Sequence, residues 1–148
     1  MSEDRREAIL ARLAQVAGTI VSPGSVFRNT IDIPDTKLPA IAVLDGDEEA
    51  DDSGFGRGRP SNAGTVMALT PHLVLKLQAS PEKVGPALSE YRAAILKAIL
   101  EDASLIALSK DGDIRYHGME TDLGVGRSMT GGAAFLFEFR YYLRPAKL

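Results

Sequence analysis

The stretch that most constrains the fold runs from Gly131 to Pro145 and reads GGAAFLFEFRYYLRP. Large apolar side chains occupy every second position in it: Phe135, Phe137, Phe139, Tyr141 and Leu143. Successive side chains of a β-strand point to opposite faces, so this alternation predicts a long strand with four aromatic rings on one face. On a helix the same residues would be scattered around the axis. We therefore expect the core of the protein to be built on this strand.

The opposite face of the same strand differs from an ordinary solvent-facing surface. It carries Leu136 and Tyr142 beside the charged residues Glu138 and Arg140. Large apolar or aromatic side chains next to charges of both signs are typical of surfaces that contact another protein. This face is therefore a candidate for subunit or partner binding.

The bulk properties of the chain narrow the class of protein. A length of 148 residues predicts one domain, spanning residues 1–148, that is long enough to bury a core. The net charge of −3 gives no electrostatic reason for nonspecific binding to nucleic acid, which needs a basic surface. The chain has no cysteine, which excludes disulfides, thiolate metal sites and cysteine nucleophiles. We expect no signal peptide and no membrane segment, because no apolar run approaches the roughly 20 residues that span a bilayer.

Six further segments show the periodicity of helices or strands. The predicted helices begin at Ser2 and at Ser80-Pro81, and the predicted strands span Val26–Ile33, Ala40–Leu44, Thr65–Ala79 and Ile114–Leu123. Pro71 lies inside one of these strands and cannot donate a ladder hydrogen bond, so an edge, a bulge or a break is expected there. The order of elements predicts an α+β protein. Two helices are expected on one side of a single, mainly antiparallel sheet of about five strands.

Two segments are predicted to be long flexible loops. The first, Asp45–Asn62, opens with six carboxylates in eight positions (DGDEEADD) and continues as a glycine-rich, basic run. The second, Leu123–Gly132, is rich in glycine. Such compositions bury too little apolar surface to offset the entropy lost when the chain is ordered.

Neither segment carries a recognisable site for a metal or a phosphate. An EF-hand loop that began at Asp45 would need glycine at its sixth position and glutamate at its twelfth, where the chain has Ala50 and Gly56. A Walker loop needs Gly-Lys-Ser/Thr, which the chain lacks. We therefore expect no bound metal and no cofactor. The arginines of the basic run, Arg57 and Arg59, are expected to pair with the neighbouring acidic segment.

Catalytic residues are not apparent in the sequence. His72 and His117 lie on different predicted strands, and neither has a hydroxyl or carboxylate motif around it. The chain has no Gly-x-Ser-x-Gly turn that could present a nucleophilic serine. We expect a protein that acts through its surfaces and is not an enzyme.

The order of the predicted elements resembles that of the tail-terminator (tail-completion) proteins of long-tailed bacteriophages. The resemblance rests on the N-terminal amphipathic helix, the strand Val26–Ile33 and the segment Leu38–Glu49 (LPAIAVLDGDEE). It continues with the strand from Thr65, the helix after Ser80-Pro81 and the final strand that ends at Arg144-Pro145. It therefore covers nearly the whole chain, through the order of elements and one local motif.

The resemblance implies a structural virion protein. Such a protein forms a homo-oligomeric ring, commonly a hexamer, at the head-proximal end of the tail tube, where it ends tube polymerisation and joins the tail to the head. Its partners would be the tail tube protein and the head–tail connector protein, with DNA only passing through the channel and no membrane involved. It would reside in the tail or neck of the virion after assembly in the cytoplasm of the bacterial host.

The residues expected to make subunit or partner contacts are charged or aromatic residues of the two predicted loops and the last strand. They are Asp47, Glu48, Asp51, Asp52, Arg57, Arg59, Arg127, Glu138, Arg140 and Tyr142. The acidic loop would also suit a channel through which DNA slides, because carboxylates repel phosphates. Two other interpretations remain open. One is another phage connector or tube subunit, and the other is a small cytoplasmic α+β domain that binds a ligand or catalyses a reaction.

Overall fold

The computed structural model describes residues 4–30, 32–51, 64–123 and 129–148, with backbone only at 123, 129 and 130. The α-helices are α1 (Arg5–Ala17), α2 (Pro81–Leu100) and α3 (Ala103–Leu108). The strands are β1 (Val26–Arg28), β2 (Ala40–Ala50), β3 (Thr65–Ala79), β4 (Ile114–Leu123) and β5 (Met129–Leu143). They form one sheet in the order β1-β2-β3-β5-β4, in which only the β1–β2 pair is parallel. The predicted α+β class with a mainly antiparallel five-stranded sheet is confirmed.

The aromatic face of β5 lies in the core, as predicted. Phe135, Phe137 and Phe139 are fully buried, and Tyr141 is 1% exposed. β3 runs beside β5 in antiparallel register and places Leu69 opposite Phe139. Apolar residues of α1, α2 and α3 belong to the same core cluster as these side chains. The helices therefore pack on one side of the sheet.

The hydroxyl of Tyr141 is a polar group within this core. It is buried and has no hydrogen-bond partner among the described residues. A buried polar group without a partner costs about 1–3 kcal/mol. We predict that Tyr141→Phe raises the free energy of unfolding, measured by urea denaturation, by about 1 kcal/mol. Tyr91→Phe, at a half-buried ring on α2, is the control and should leave it unchanged. A loss of stability in Tyr141→Phe would show that the hydroxyl has a partner after all.

The two long helices begin at different local signals, a side-chain cap for α1 and a proline in the first turn of α2. α1 begins after Asp4, whose carboxylate accepts hydrogen bonds from the backbone N–H groups of the first turn. Ser2, the predicted cap, lies outside the described residues. α1 ends before Gly18, and α2 begins at Pro81 after Ser80, both as the sequence indicates.

The short helix α3 is not anticipated by the sequence analysis. Asp102 caps it by accepting a hydrogen bond of 2.9 Å from the backbone N–H of Leu105. The same carboxylate accepts two hydrogen bonds from the guanidinium of Arg12 on α1, at 3.0 and 2.6 Å. Asp102 therefore starts α3 and joins it to α1.

The predicted strand Val26–Ile33 is wrong beyond Arg28. β1 ends there because Asn29 adopts a left-handed backbone conformation, with a φ of 56°. The chain then leaves the sheet, and Ile33 packs against Ala40 at the start of β2. This contact lies on the side of the sheet opposite the helices, because Ala40 pairs with an even-numbered residue of β3.

The predicted loop Asp45–Asn62 is wrong in its first part, because the acidic residues up to Ala50 belong to β2. Asp45 and Gly46 form a β-bulge opposite Pro71, where the β2–β3 register shifts by one residue. Pro71 has no N–H to donate to a neighbouring strand, and prolines within sheets are found at such bulges. Beyond the bulge, β2 and β3 pair again from Asp47 to Ala50. This pairing supplies the backbone hydrogen bonds, and the side chains of Asp47, Glu48 and Glu49 remain exposed to water. Residues 52–62 lie outside the described part of the chain.

The second predicted loop, Leu123–Gly132, is wrong at both ends. β4 includes Leu123, and β5 begins at Met129. The glycines at the start of β5 are part of the sheet, since Gly131 and Gly132 pair with residues of β3. Residues 124–128 lie outside the described part of the chain.

Candidate interaction surface

One side of the sheet carries no helix, and we call it the helix-free face. It consists of the even-numbered side chains of β3 and β5 and the residues that pair with them on β2 and β4. Its polar residues with described side chains are Asp47, Glu49, Thr70, His72, Lys76, Gln78, Arg115, His117, Glu120, Asp122, Glu138 and Arg140. Its larger apolar residues are Leu44, Val66, Val74, Leu136 and Tyr142. Ile33 and Leu38 pack over the β1–β2 part, whereas the described side chains of this face on β3 and β5 remain half-buried or exposed.

A network of charges lies on the helix-free face, with Arg140 at its centre. The guanidinium of Arg140 lies 3.1 Å from a carboxylate oxygen of Asp51, 3.1 Å from Glu138 and 3.8 Å from Asp113. His117 extends the network, with its Nε2 atom 3.3 Å from Glu138. The side chains of Asp51 and Glu138 are only 13% and 15% exposed. Asp51, Glu138 and Arg140, three of the residues predicted to make contacts, are thus brought together.

Tyr142 lies beyond Arg140 at the end of the same strand. Tyr142 is 38% exposed, so this large aromatic residue is accessible to a partner. Two cations approach it: Arg144 at 5.4 Å and Lys110 at 5.9 Å from the ring centroid. The predicted contact residue Tyr142 therefore adds an exposed aromatic surface to the charge network.

The structure separates two other predicted contact residues. Asp47 pairs with Thr70, so its side chain belongs to the helix-free face. Glu48 pairs with Leu69, whose side chain faces the helices, so Glu48 points to the other side of the sheet. The acidic residues of β2 therefore do not form one patch. Asp52, Arg57, Arg59 and Arg127 lie outside the described residues.

A second cluster of charges, which sequence reasoning missed, joins α1 to the bulge of β2. Arg28 forms two hydrogen bonds with Glu7, at 2.6 and 2.7 Å, and two with Asp45, at 3.0 and 3.4 Å. Asp45 also lies 3.6 Å from Arg6, and its backbone N–H donates to the side chain of Asn29. No local sequence pattern predicts this cluster, because its residues are far apart in the chain and meet only in the fold.

The cluster lowers the pKa values of its carboxyl groups. The hydrogen bond from Arg28 lowers the pKa of Glu7. Burial raises the pKa of Asp45, but hydrogen bonds from Arg28 and Asn29 outweigh this effect, so the net shift is downward. The hydrogen bonds that Arg28 donates to Glu7 and Asp45 raise the pKa of its guanidinium group.

These shifts predict a contribution to stability that depends on pH. A carboxyl group whose pKa is lower in the folded than in the unfolded protein stabilises the fold above its unfolded pKa, which is about 4. That contribution is lost as the pH falls through the lower, folded pKa. We predict that the free energy of unfolding, measured by urea denaturation at each pH, falls less between pH 6 and pH 3 in Arg28→Gln than in the wild type. Lys97→Gln, the same charge change on the exposed side of α2, is the control and should keep the wild-type dependence.

Two clefts lie beside Tyr91 of α2. One, of about 300 Å³, lies between α2 and the segment that contains Leu38, and the other, of about 410 Å³, lies beside Ile20. None of the described residues predicted to make contacts lines either cleft. The candidate surface is therefore the helix-free face.

Within the described residues, no helix is both long and apolar enough to cross a membrane. The same part of the chain holds no group of three or more His, Cys, Asp or Glu side chains placed to bind a metal ion. No protein-family model matches the sequence, and no curated protein matches it.

Proposed function

We propose that the protein is a structural subunit that assembles into a closed ring through its helix-free face. We further propose that this ring is the tail terminator of a long-tailed bacteriophage. It would sit on the head-proximal end of the tail tube, where it ends tube polymerisation and meets the head–tail connector. The observation that carries the proposal is the charge network of Asp51, Glu138 and Arg140 beside the exposed ring of Tyr142.

The network supports a docking role because its charges are already partly removed from water. Covering a charged surface costs desolvation free energy unless the charges are paired. Asp51 and Glu138 are paired with Arg140 and mostly buried within the subunit. A partner that covered this region would therefore lose little hydration of charges while it gained contact with Leu136 and Tyr142.

The tail-terminator role rests on the resemblance in element order together with the acidic end of β2. Asp47 and Glu49 are exposed on that strand. In a ring that surrounds DNA, exposed carboxylates on the channel wall would keep phosphates from binding. Closed rings use heterologous contacts, so a second surface of the subunit must meet the helix-free face of its neighbour.

Electron microscopy and the mass of the purified protein in solution test the ring. We expect particles of closed symmetry, most simply six-fold, and a mass that is the corresponding multiple of 15.8 kDa. Long tubes would instead identify a tube subunit. A protein that remains a monomer, both alone and when mixed with its tail tubes, would contradict the proposal.

A pair of variants tests whether the helix-free face makes the ring contact. Tyr142→Ala removes an exposed ring from this face, and we predict that it weakens assembly about tenfold or more, as a buried aromatic contact would. Ile106→Ala is the matched control, because Ile106 is similarly exposed (39%) but lies on α3. Neither change should alter the urea midpoint much. Equal assembly of both variants, measured by sedimentation, would place the contact elsewhere.

A further inference from the structure

β4 forms one edge of the sheet and pairs only with β5 among the described residues. It is 10 residues long, whereas β1 at the opposite edge has three. The outer side of an edge strand presents backbone N–H and C=O groups that can pair with another strand. β4 is therefore the longer of the two edges open to strand pairing.

A bulge places all the charged side chains of β4 on one face. Tyr116 pairs with Phe137 and Gly118 pairs with Leu136, so His117 is an extra residue between two adjacent positions of β5. Before the bulge, Arg115 pairs with Glu138 and belongs to the helix-free face. After it, Glu120 and Asp122 pair with Ala134 and Gly132 on the same face. His117 also lies there, because it contacts Glu138.

When two copies of β4 lie side by side in opposite directions, the charges of one copy can face opposite charges of the other. In an antiparallel pair with a two-fold axis through Met119, Arg115 of each copy lies opposite Asp122 of the other, and the His117–Gly118 bulge occupies one position. His117 then lies opposite Glu120, and each contact occurs twice. All four side chains are on the helix-free face, so the pairing also matches their directions.

Neighbouring two-fold registers that preserve the faces are less favourable. An axis through Glu120 places this residue opposite its own copy. An axis through Thr121 places Glu120 opposite Asp122. An axis at the His117–Gly118 bulge places Arg115 opposite Glu120 but also Asp113 opposite Asp122. All three registers bring like charges together, which destabilises a strand pair.

We propose that a second copy of this chain pairs with β4 in the register centred on Met119. The two copies then form one continuous sheet of ten strands, five from each. Charges on an edge strand normally deter such pairing. In this register they attract instead, and Gly118 adds no side chain to the bulge that faces Glu120. The pairing is isologous and does not rest on the proposed ring, which needs heterologous contacts.

Exchange of the charges tests the register. Arg115→Asp sets two acids opposite each other and Asp122→Arg sets two bases opposite each other, so each should weaken the dimer roughly tenfold. The double variant Arg115→Asp/Asp122→Arg restores opposite charges and should recover most of the wild-type affinity. Lys97→Glu, an equal change of sign on the exposed side of α2, should have no effect. Sedimentation equilibrium measures the dimer dissociation constant, and thermal melts confirm that each variant folds.

Disulfide trapping provides a second test, because the chain has no cysteine of its own. His117→Cys/Glu120→Cys places two thiols opposite each other in this register, and mild oxidation should give a covalent dimer. His117→Cys/Asp122→Cys keeps both thiols on the same face but out of register, and should give much less. A wild-type protein that does not self-associate, or a double charge exchange no better than the single ones, would overturn the pairing. Rings that persist in the single charge variants would leave the proposed function intact while the dimer is lost.

Discussion

Phe137→Ala is expected to lower the free energy of unfolding by about 3–5 kcal/mol. The ring of Phe137 is fully buried, and it packs 5.4 Å from the ring of Tyr116 and 6.4 Å from that of Phe139, centroid to centroid. Truncation to alanine removes these contacts and leaves a cavity that the surrounding strands cannot close. Urea denaturation followed by circular dichroism measures the change.

The neighbouring residue provides the control for Phe137→Ala. Glu138 lies on the opposite face, so Glu138→Ala leaves the core intact and removes only its hydrogen bonds to Arg140 and His117. Losses of this kind are about 1 kcal/mol. If Glu138→Ala proved the more damaging change, the assignment of the two faces of β5 would be reversed.

The central strands were predictable because their side chains alternate without interruption. On β5 the aromatic residues at the odd-numbered positions are all buried, and on β3 the buried positions Leu69, Leu73 and Leu75 follow the same period. A pattern of this length fits only one secondary structure and one face. Pro71 also predicted an irregularity in the sheet, and the structure has a β-bulge opposite it on β2.

The acidic half of β2 was not predictable from its own composition. Asp45–Ala50 contains no large apolar residue, so it lacks the alternation that identifies a strand. It is a strand because β3 extends beyond the core and offers backbone groups to pair with. Likewise, β1 ends at Arg28 because of the left-handed backbone at Asn29, which no periodicity reveals.

The residues that β5 contributes to the candidate surface could be predicted from the sequence. The residues that form ion pairs with them could not. Glu138 and Arg140 follow from the alternation of β5. The approach of Asp51 to Arg140 depends on the pairing of β2 with β3, and the approach of Asp113 depends on the β4–β5 register. Contacts of this kind join residues far apart in the chain, so only the fold brings them together.

Gly46→Ala is expected to lower the free energy of unfolding by about 2–5 kcal/mol. Gly46 has a φ of +71°, and a Cβ atom at this position would lie 1.9 Å from the backbone oxygen of Thr70. The left-handed conformation alone costs a residue with a Cβ about 1–2 kcal/mol. The overlap adds more, because the obstacle is backbone and cannot rotate away. The bulge must therefore open, which also displaces Asp45 from Arg28.

Gly85→Ala is the control for this change, because nothing lies within 4 Å of a Cβ at Gly85, inside α2. It should raise the stability by up to about 1 kcal/mol, since alanine favours a helix over glycine. Hydrogen exchange locates the effect: the backbone N–H of Asp51 donates to Val66 at 2.8 Å, and Gly46→Ala should remove its protection. An alanine at Gly46 that changed neither stability nor exchange would mean that β2 stops before the bulge. The acidic residues would then form the loop that their composition predicts, and Asp51 would no longer be held beside Arg140.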